Sequence, residues 1–193
     1  MTEDEVLHEF RASEALLEGH FKLSSGRRSA HYLQCARVLM EPERASRLAI
    51  ALAQQLPREL RAEIDKVVSP AMGGVIIGHE MGRALGKEAL FVERPTGKFE
   101  FRRGFRLDKG DRVLLVEDVV TTGLSSCQAI EAVRQEGGKV IAAAALVDRS
   151  AGDADLGVPF FTLVTLSFPT YAENELPAEL AAIPAVKPGS RED

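Results

Sequence analysis

The sequence predicts one α/β domain built on a mostly parallel sheet. Three observations predict it. Apolar runs of strand length alternate with helical periodicity through the middle of the chain, the pattern of consecutive strand–helix units joined by right-handed crossovers. Those runs are nearly free of polar residues, as strands covered on both faces must be. The run at residues 113–116 ends in two acids and a Thr-Thr-Gly turn before a helix. Ligands in open α/β sheets bind at such a strand end.

Bulk properties narrow the class. A chain of 193 residues suffices for one well-buried domain and is short for two. Hydrophobic residues at 45% and charged residues at 27% are ordinary for a globular protein. A net charge of −5 argues against general nucleic-acid binding, which needs a broad basic surface. A few focused Arg and Lys residues still suffice for an anionic small substrate. No apolar run reaches the length of a membrane span, so no membrane partner is expected. The N-terminal MTEDEVLHEF lacks the basic-then-apolar layout of a signal peptide, and cytoplasmic residence is expected. Cys35 and Cys127 have no CxxC spacing and read as buried or half-buried thiols. His8, His20, His31 and His79 show no metal-ligand spacing.

The elements follow in order. Residues 3–18 read as a helix with Val6, Phe10 and Leu17 on one approximate face. Residues 19–29, GHFKLSSGRRS, suit a loop or a short hairpin, and residues 31–40 a strand. Pro42 fits the first turn of a helix. Ala45, Leu48, Ala49, Leu52 and Leu56 continue it at helical spacing. Residues 64–69 read as a short strand, followed by the turn PAMGG. The next helix carries Ile77, Met81, Ala84 and Leu85 on one face, and Gly78 and Gly82 would let it lie close to a neighbour. Residues 89–92 form a strand; residues 93–106, ERPTGKFEFRRGFR, suit a long loop or an exposed hairpin. A strand at 112–116 precedes a helix at 123–136 that stops at Gly137-Gly138. Residues 140–147 and 160–166 are further strands. Residues 176–193 hold three prolines and little periodicity, and should pack outside or fray.

Residues 113–126, VLLVEDVVTTGLSS, carry the chemistry. The strand delivers Glu117 and Asp118 to its end, and a loop at 119–122 leads to Gly123 and a helix N-terminus. Loop and first-turn N–H groups, with the helix dipole, favour a phosphate. Thr121, Thr122, Ser125 and Ser126 add hydroxyl donors, and Gly123 permits close backbone approach. The two carboxylates cannot hold a phosphate, since like charges repel. They can accept hydrogen bonds from two vicinal ribose hydroxyls and help place Mg²⁺. A sugar phosphate is therefore expected. Taken alone, Glu117-Asp118 would equally suit a solvated acidic turn. The P-loop GxxxxGK[ST] and the dinucleotide fingerprint GxGxxG are both missing.

Four apolar residues, two acids, two apolar residues and Thr-Thr-Gly resemble the phosphoribosyl diphosphate motif of type I phosphoribosyltransferases. The resemblance implies that family's fold: a central sheet flanked by helices, a small N-terminal hood (1–40), an α/β core (41–170), a flexible basic loop and a C-terminal tail (171–193). It implies that Glu117, Asp118, Val119, Val120, Thr121, Thr122, Gly123, Leu124 and Ser125 bind the donor. Mg²⁺ then sits mainly on the diphosphate, with no side chain singled out as a direct ligand.

Other segments resemble orotate phosphoribosyltransferases over nearly the whole chain. FKLSSGRRS at 21–29 resembles a segment lying over the orotate ring. ALVDR at 145–149 resembles a strand ending in Asp-Arg, whose arginine binds the orotate carboxylate. Arg149 and Thr121 are thus the expected acceptor contacts. Residues 93–98 resemble a mobile basic loop that closes over the diphosphate and reaches the partner subunit's site. The resemblance therefore implies a homodimer. Arg94 and Lys98, with Asp118, form the expected catalytic set, and Arg102 and Arg103 add charge. A guanidinium on a rigid strand end can hold a carboxylate by two parallel bonds.

The family's 6-oxopurine enzymes carry Asp where this chain has Thr121, which disfavours hypoxanthine or guanine as acceptor. The chain departs from the best-known orotate enzymes at Ser24 and Gly73, where they often have Lys, and near Glu100, where they often have His. Residues 187–191, KPGSR, resemble the tail of relatives with a CPxC motif, but Leu176 and Glu179 stand at the cysteine positions. Two alternatives remain: transfer to another base, and a phosphoribosyl diphosphate-sensing regulator that binds nucleic acid.

Overall fold

The computed structural model describes residues 1–23 and 26–187. Helix α1 (Glu3–Ala12) starts on a capping box: the Thr2 hydroxyl accepts from Glu5 N, and the Glu5 carboxylate accepts from Thr2 N. It stops well short of residue 18. The Ser13 hydroxyl donates to the Glu9 carbonyl at 2.8 Å, and Glu14 turns to φ 52°. Leu16 and Leu17 fall instead in β1 (Leu16–Lys22), which pairs antiparallel with β2 (Arg28–Leu33). The predicted strand at 31–40 is only half a strand. After Gln34 the chain becomes α2 (Cys35–Leu39), burying Cys35, Val38 and Leu39 at helical spacing.

Helix α3 (Pro42–Gln55) has Pro42 in its first turn, and α4 (Arg58–Glu63), not predicted, buries no residue. A helix without an apolar stripe leaves no periodic signal. The alternation then proceeds as β3 (Lys66–Pro70), α5 (Gly74–Leu85) and β4 (Glu88–Glu93). Residues 93–106 form a hairpin, because β5 (Glu100–Phe101) returns antiparallel to β4. Next come β6 (Arg112–Val120), α6 (Leu124–Gln135), β7 (Lys139–Asp148) and β8 (Phe160–Thr165). The short β9 (Thr170–Tyr171) pairs with β2, and a 3₁₀ turn precedes α7 (Ala178–Ala181).

The large sheet has the order β5-β4-β3-β6-β7-β8 and is parallel except at β5. Along β6 the residues alternate between two cores. Leu114 and Val116 pack with Leu48, Leu52, Ile77 and Met81 from α3 and α5. Val113 and Leu115 pack with Ala129 and Val133 from α6. The close approach predicted for α5 is made against the sheet: a Cβ on Gly78 would lie 2.4 Å from Ser69 Oγ, and one on Gly82 2.8 Å from Ala89 Cβ.

The small sheet, β1-β2-β9, stands apart from the large one. The tail is fastened to it, since Val186 N donates to the His20 carbonyl and Lys22 N to the Val186 carbonyl, both at 2.8 Å. Among the described residues, no helix is long and apolar enough to cross a membrane.

Candidate active site at the carboxyl edge of the sheet

From β3 the chain crosses to β4 on one side, while β6 lies on the other. Such a reversal opens a crevice beyond the strand ends. The turn after β3 and the turn after β6 therefore face the same crevice.

β6 is longer than its apolar run. It continues through Val120, pairing Glu117 with Ala145, Val119 with Val147 and Val120 with Asp148. Val119 and Val120, expected in the phosphate loop, are strand residues; the turn is confined to 121–123. β-Branched side chains and an apolar partner strand favour that extension. It also separates the two acids, because neighbouring strand residues face opposite sides of a sheet. Glu117 turns toward α6 and accepts a hydrogen bond from Ser126 Oγ at 3.0 Å. Asp118 turns toward α5, its two carboxylate oxygens 2.7 Å from where a Cβ on Gly73 would stand. That space explains glycine at 73. The Asp118 carbonyl accepts from Cys35 Sγ at 3.9 Å.

Burial pushes Glu117 up to about 8; the Ser126 donor and Arg94 oppose the shift, and the Asp118 charge adds to it. Burial also raises Asp118, against backbone N–H donors from Val119 and Asp118 itself.

Thr121 and Thr122 are exposed on the turn, with Leu124 and Ser125 exposed on the first turn of α6. Gly123 adopts φ 76°, and a Cβ there would lie 2.9 Å from Leu156 Cδ2. The opening N–H groups of α6 and the hydroxyls of the turn thus border the crevice, an arrangement that suits a phosphate.

Arg94, exposed at the end of β4, folds onto α6. It donates to Gln128 Oε1 at 2.6 Å and to Ser125 Oγ at 3.5 Å, and its guanidinium lies 4.2 Å from the Phe99 ring centroid. Lys98 and Arg102 are exposed on the hairpin, while Arg103 pairs with Glu93 at 3.0 and 2.9 Å. The structure therefore brings Arg94 beside the start of α6 and leaves Lys98 out on the loop. Ser24 lies outside the described residues, as do residues 188–191 of the tail motif.

Arg149 stands one strand over. Its N–H donates to the Val120 carbonyl at 2.7 Å, joining the end of β7 to that of β6. The Asp148 carboxylate accepts from Ser150 N, Ser150 Oγ and Gly152 N, which fixes the following turn. The Arg149 guanidinium is half-buried, and its Nε has no hydrogen-bond partner among the described residues. Burial lowers its pKa, against the neighbouring Cys35 and Tyr32 groups. The guanidinium carbon lies 5.4 Å from the Phe168 ring, which stacks on His31 at 4.6 Å. Ser126, expected among the hydroxyl donors to a phosphate, is buried and turns its hydroxyl to Glu117 instead. Phe168 and His31 were not singled out as site residues; the two rings, 137 positions apart, give no shared local signal.

The phosphoribosyl transferase domain model matches residues 41–170. This chain therefore belongs to the phosphoribosyltransferase family. A protein named orotate phosphoribosyltransferase from Novosphingobium aromaticivorans is 77% identical over 99% of this chain and 98% of its own. Another of that name from Erythrobacter litoralis is 74% identical over 99% of each chain. Among solved structures, the orotate phosphoribosyltransferase of Aeropyrum pernix superposes with a TM-score of 0.67 at 31% identity, covering 83% of this chain and 93% of its own. Within the family, the chain falls among the orotate phosphoribosyltransferases.

Proposed function

We propose that the protein transfers ribose 5-phosphate from 5-phosphoribosyl 1-diphosphate to N1 of orotate, giving orotidine 5-phosphate and diphosphate in pyrimidine (UMP) biosynthesis. The observation that carries the acceptor is Arg149: a half-buried guanidinium on a rigid strand end, its Nε unpartnered, tied by one backbone bond to the residue before Thr121. A guanidinium whose buried Nε lacks a hydrogen-bond partner among the described residues is costly, and a carboxylate offsets that cost with a charge-assisted pair.

The donor lies along the β6–α6 junction. The 121–125 turn and Arg94 hold its phosphates, and Glu117 and Asp118 take the ribose hydroxyls, reaching in from the two faces of the sheet. Thr121 stands between donor and acceptor. Orotate N1 attacks the anomeric carbon as the bond to diphosphate breaks, and the bonding pair leaves with the diphosphate. No covalent nucleophile is needed from the protein, which supplies positioning, charge stabilisation and exclusion of water. Lys98 and the remaining loop cations close over the leaving group.

The donor set also fits Mg²⁺. Two carboxylates at the turn, with no surrounding cage of acids among the described residues, suit an ion that keeps most of its oxygens from water and substrate phosphates. When bound, Mg²⁺ neutralises charge on the diphosphate.

The working form is a cytoplasmic homodimer in which the loop serves the partner's site. Met72 and Ile76, one turn apart near the start of α5, are exposed at 85% and 45%, and Met40 at 70%. Large apolar side chains left in water suit a surface covered by a second copy.

Replacing Arg149 with Ala tests the acceptor assignment. The KM for orotate should rise by one to two decades, about what a charged hydrogen-bonded contact supplies, with little change for the donor. Equal effects on both substrates would remove Arg149 from that role.

A further inference from the structure

The sequence offers Ser126 as a hydroxyl donor to a phosphate, and its burial on α6 withdraws it from that role. It is 1% exposed, yet its hydroxyl is not left idle: it donates to Glu117 Oε1 at 3.0 Å, and Glu117 is itself 7% exposed. No other side chain among the described residues donates to Glu117. Oε2 therefore remains available to a ligand. Ser126 also lies in the first turn of α6, the helix whose opening residues border the turn at 121–123.

We propose that Ser126 is a positioning residue for the donor: it pins Glu117 Oε1 so that Oε2 meets a ribose hydroxyl at a fixed distance from the phosphate turn. The inference rests on the reading of Glu117 as a ribose ligand. Glutamate has a longer and freer side chain than aspartate, so an unpinned Glu117 would sample several rotamers. A hydrogen bond between two buried groups is stronger than one in water and holds its geometry. Because the anchor sits on α6, the ribose-binding carboxylate and the phosphate-binding helix move as one unit. A donor carrying phosphate and vicinal hydroxyls at fixed separation is then recognised by both ends at once.

The test compares Ser126→Ala, Glu117→Leu and the double variant in steady-state kinetics. Calorimetric binding of 5-phosphoribosyl 1-diphosphate with Mg²⁺ serves as a second readout. Ser126→Ala should raise the donor KM and Kd about tenfold, the upper end of what one buried hydrogen bond contributes, and leave the orotate KM unchanged. In the Glu117→Leu background it should add nothing, because its partner is gone. If Ser126→Ala raises both KM values alike, or keeps its full effect in the Glu117→Leu background, its role is structural and the inference is overturned. If Glu117→Leu weakens the donor while Ser126→Ala does not, the inference alone fails. If Glu117→Leu leaves donor binding unchanged, the ribose reading of Glu117 fails and takes the inference with it.

Discussion

Two acids adjacent in the chain end up on opposite faces of the sheet because β6 continues past its apolar run. Asp118 reaches the crevice beside Gly73, and Glu117 turns into the interface with α6. Burial gives Glu117 a pKa of about 8 against an ordinary 4.5. The proton it retains has a consequence for stability. A carboxyl whose folded pKa is raised contributes fully below its unfolded pKa and loses that contribution as pH rises through the folded one. In thermal melts of the ligand-free protein between about pH 5 and pH 9, Glu117→Gln should lose less stability with rising pH than the native chain. Parallel curves would contradict the buried, protonated Glu117.

At the scale of elements, the glycines of α5 set how the helix sits. Gly78→Ala would drive a Cβ to 2.7 Å from Ser69 Cβ, in β3, where the chain leads into the crevice. The expected cost is about 1–3 kcal/mol of overpacking, read by denaturant unfolding; a loss below a few tenths would mean that α5 does not lie so close. The β–α alternation of the core was legible because burial on two faces imposes apolar runs that local sequence displays. The ends of elements were less legible, for specific reasons. Ser13 ends α1 by a side-chain bond to Glu9, a competition that hydrophobic spacing does not record. Cys35, Val38 and Leu39 form one short helical turn, too brief to stand out from a strand. β6 outruns residue 116 because its neighbour β7 offers Ala145 and Val147 as pairing partners, a tertiary fact. The turn at 121–123 and the strand end at Arg149 were legible in position, since each is local. The pairing of Ser126 with Glu117 was not, because it needs β6 to run on and turn Glu117 toward α6, and the His31–Phe168 stack forms only when distant segments meet.

At the scale of the whole molecule, the Arg149–Val120 backbone bond ties together the strand ends proposed to hold donor and acceptor. If the basic loop serves the partner subunit, subunits lacking different groups should complement. Mixing Lys98→Ala with Arg149→Ala subunits, after dissociation and reassociation, should give activity that neither variant has alone, because one hybrid site is then intact. Activity no higher than the sum of the separate variants would place the loop in its own subunit's site. The central claim concerns the acceptor, and orotate consumption followed by absorbance measures it most directly. With 5-phosphoribosyl 1-diphosphate and Mg²⁺ supplied, the protein should consume orotate and release diphosphate in equal amounts, with adenine, uracil and hypoxanthine neither consumed nor competing effectively. Turnover of one of those bases, with orotate left untouched, would contradict the account.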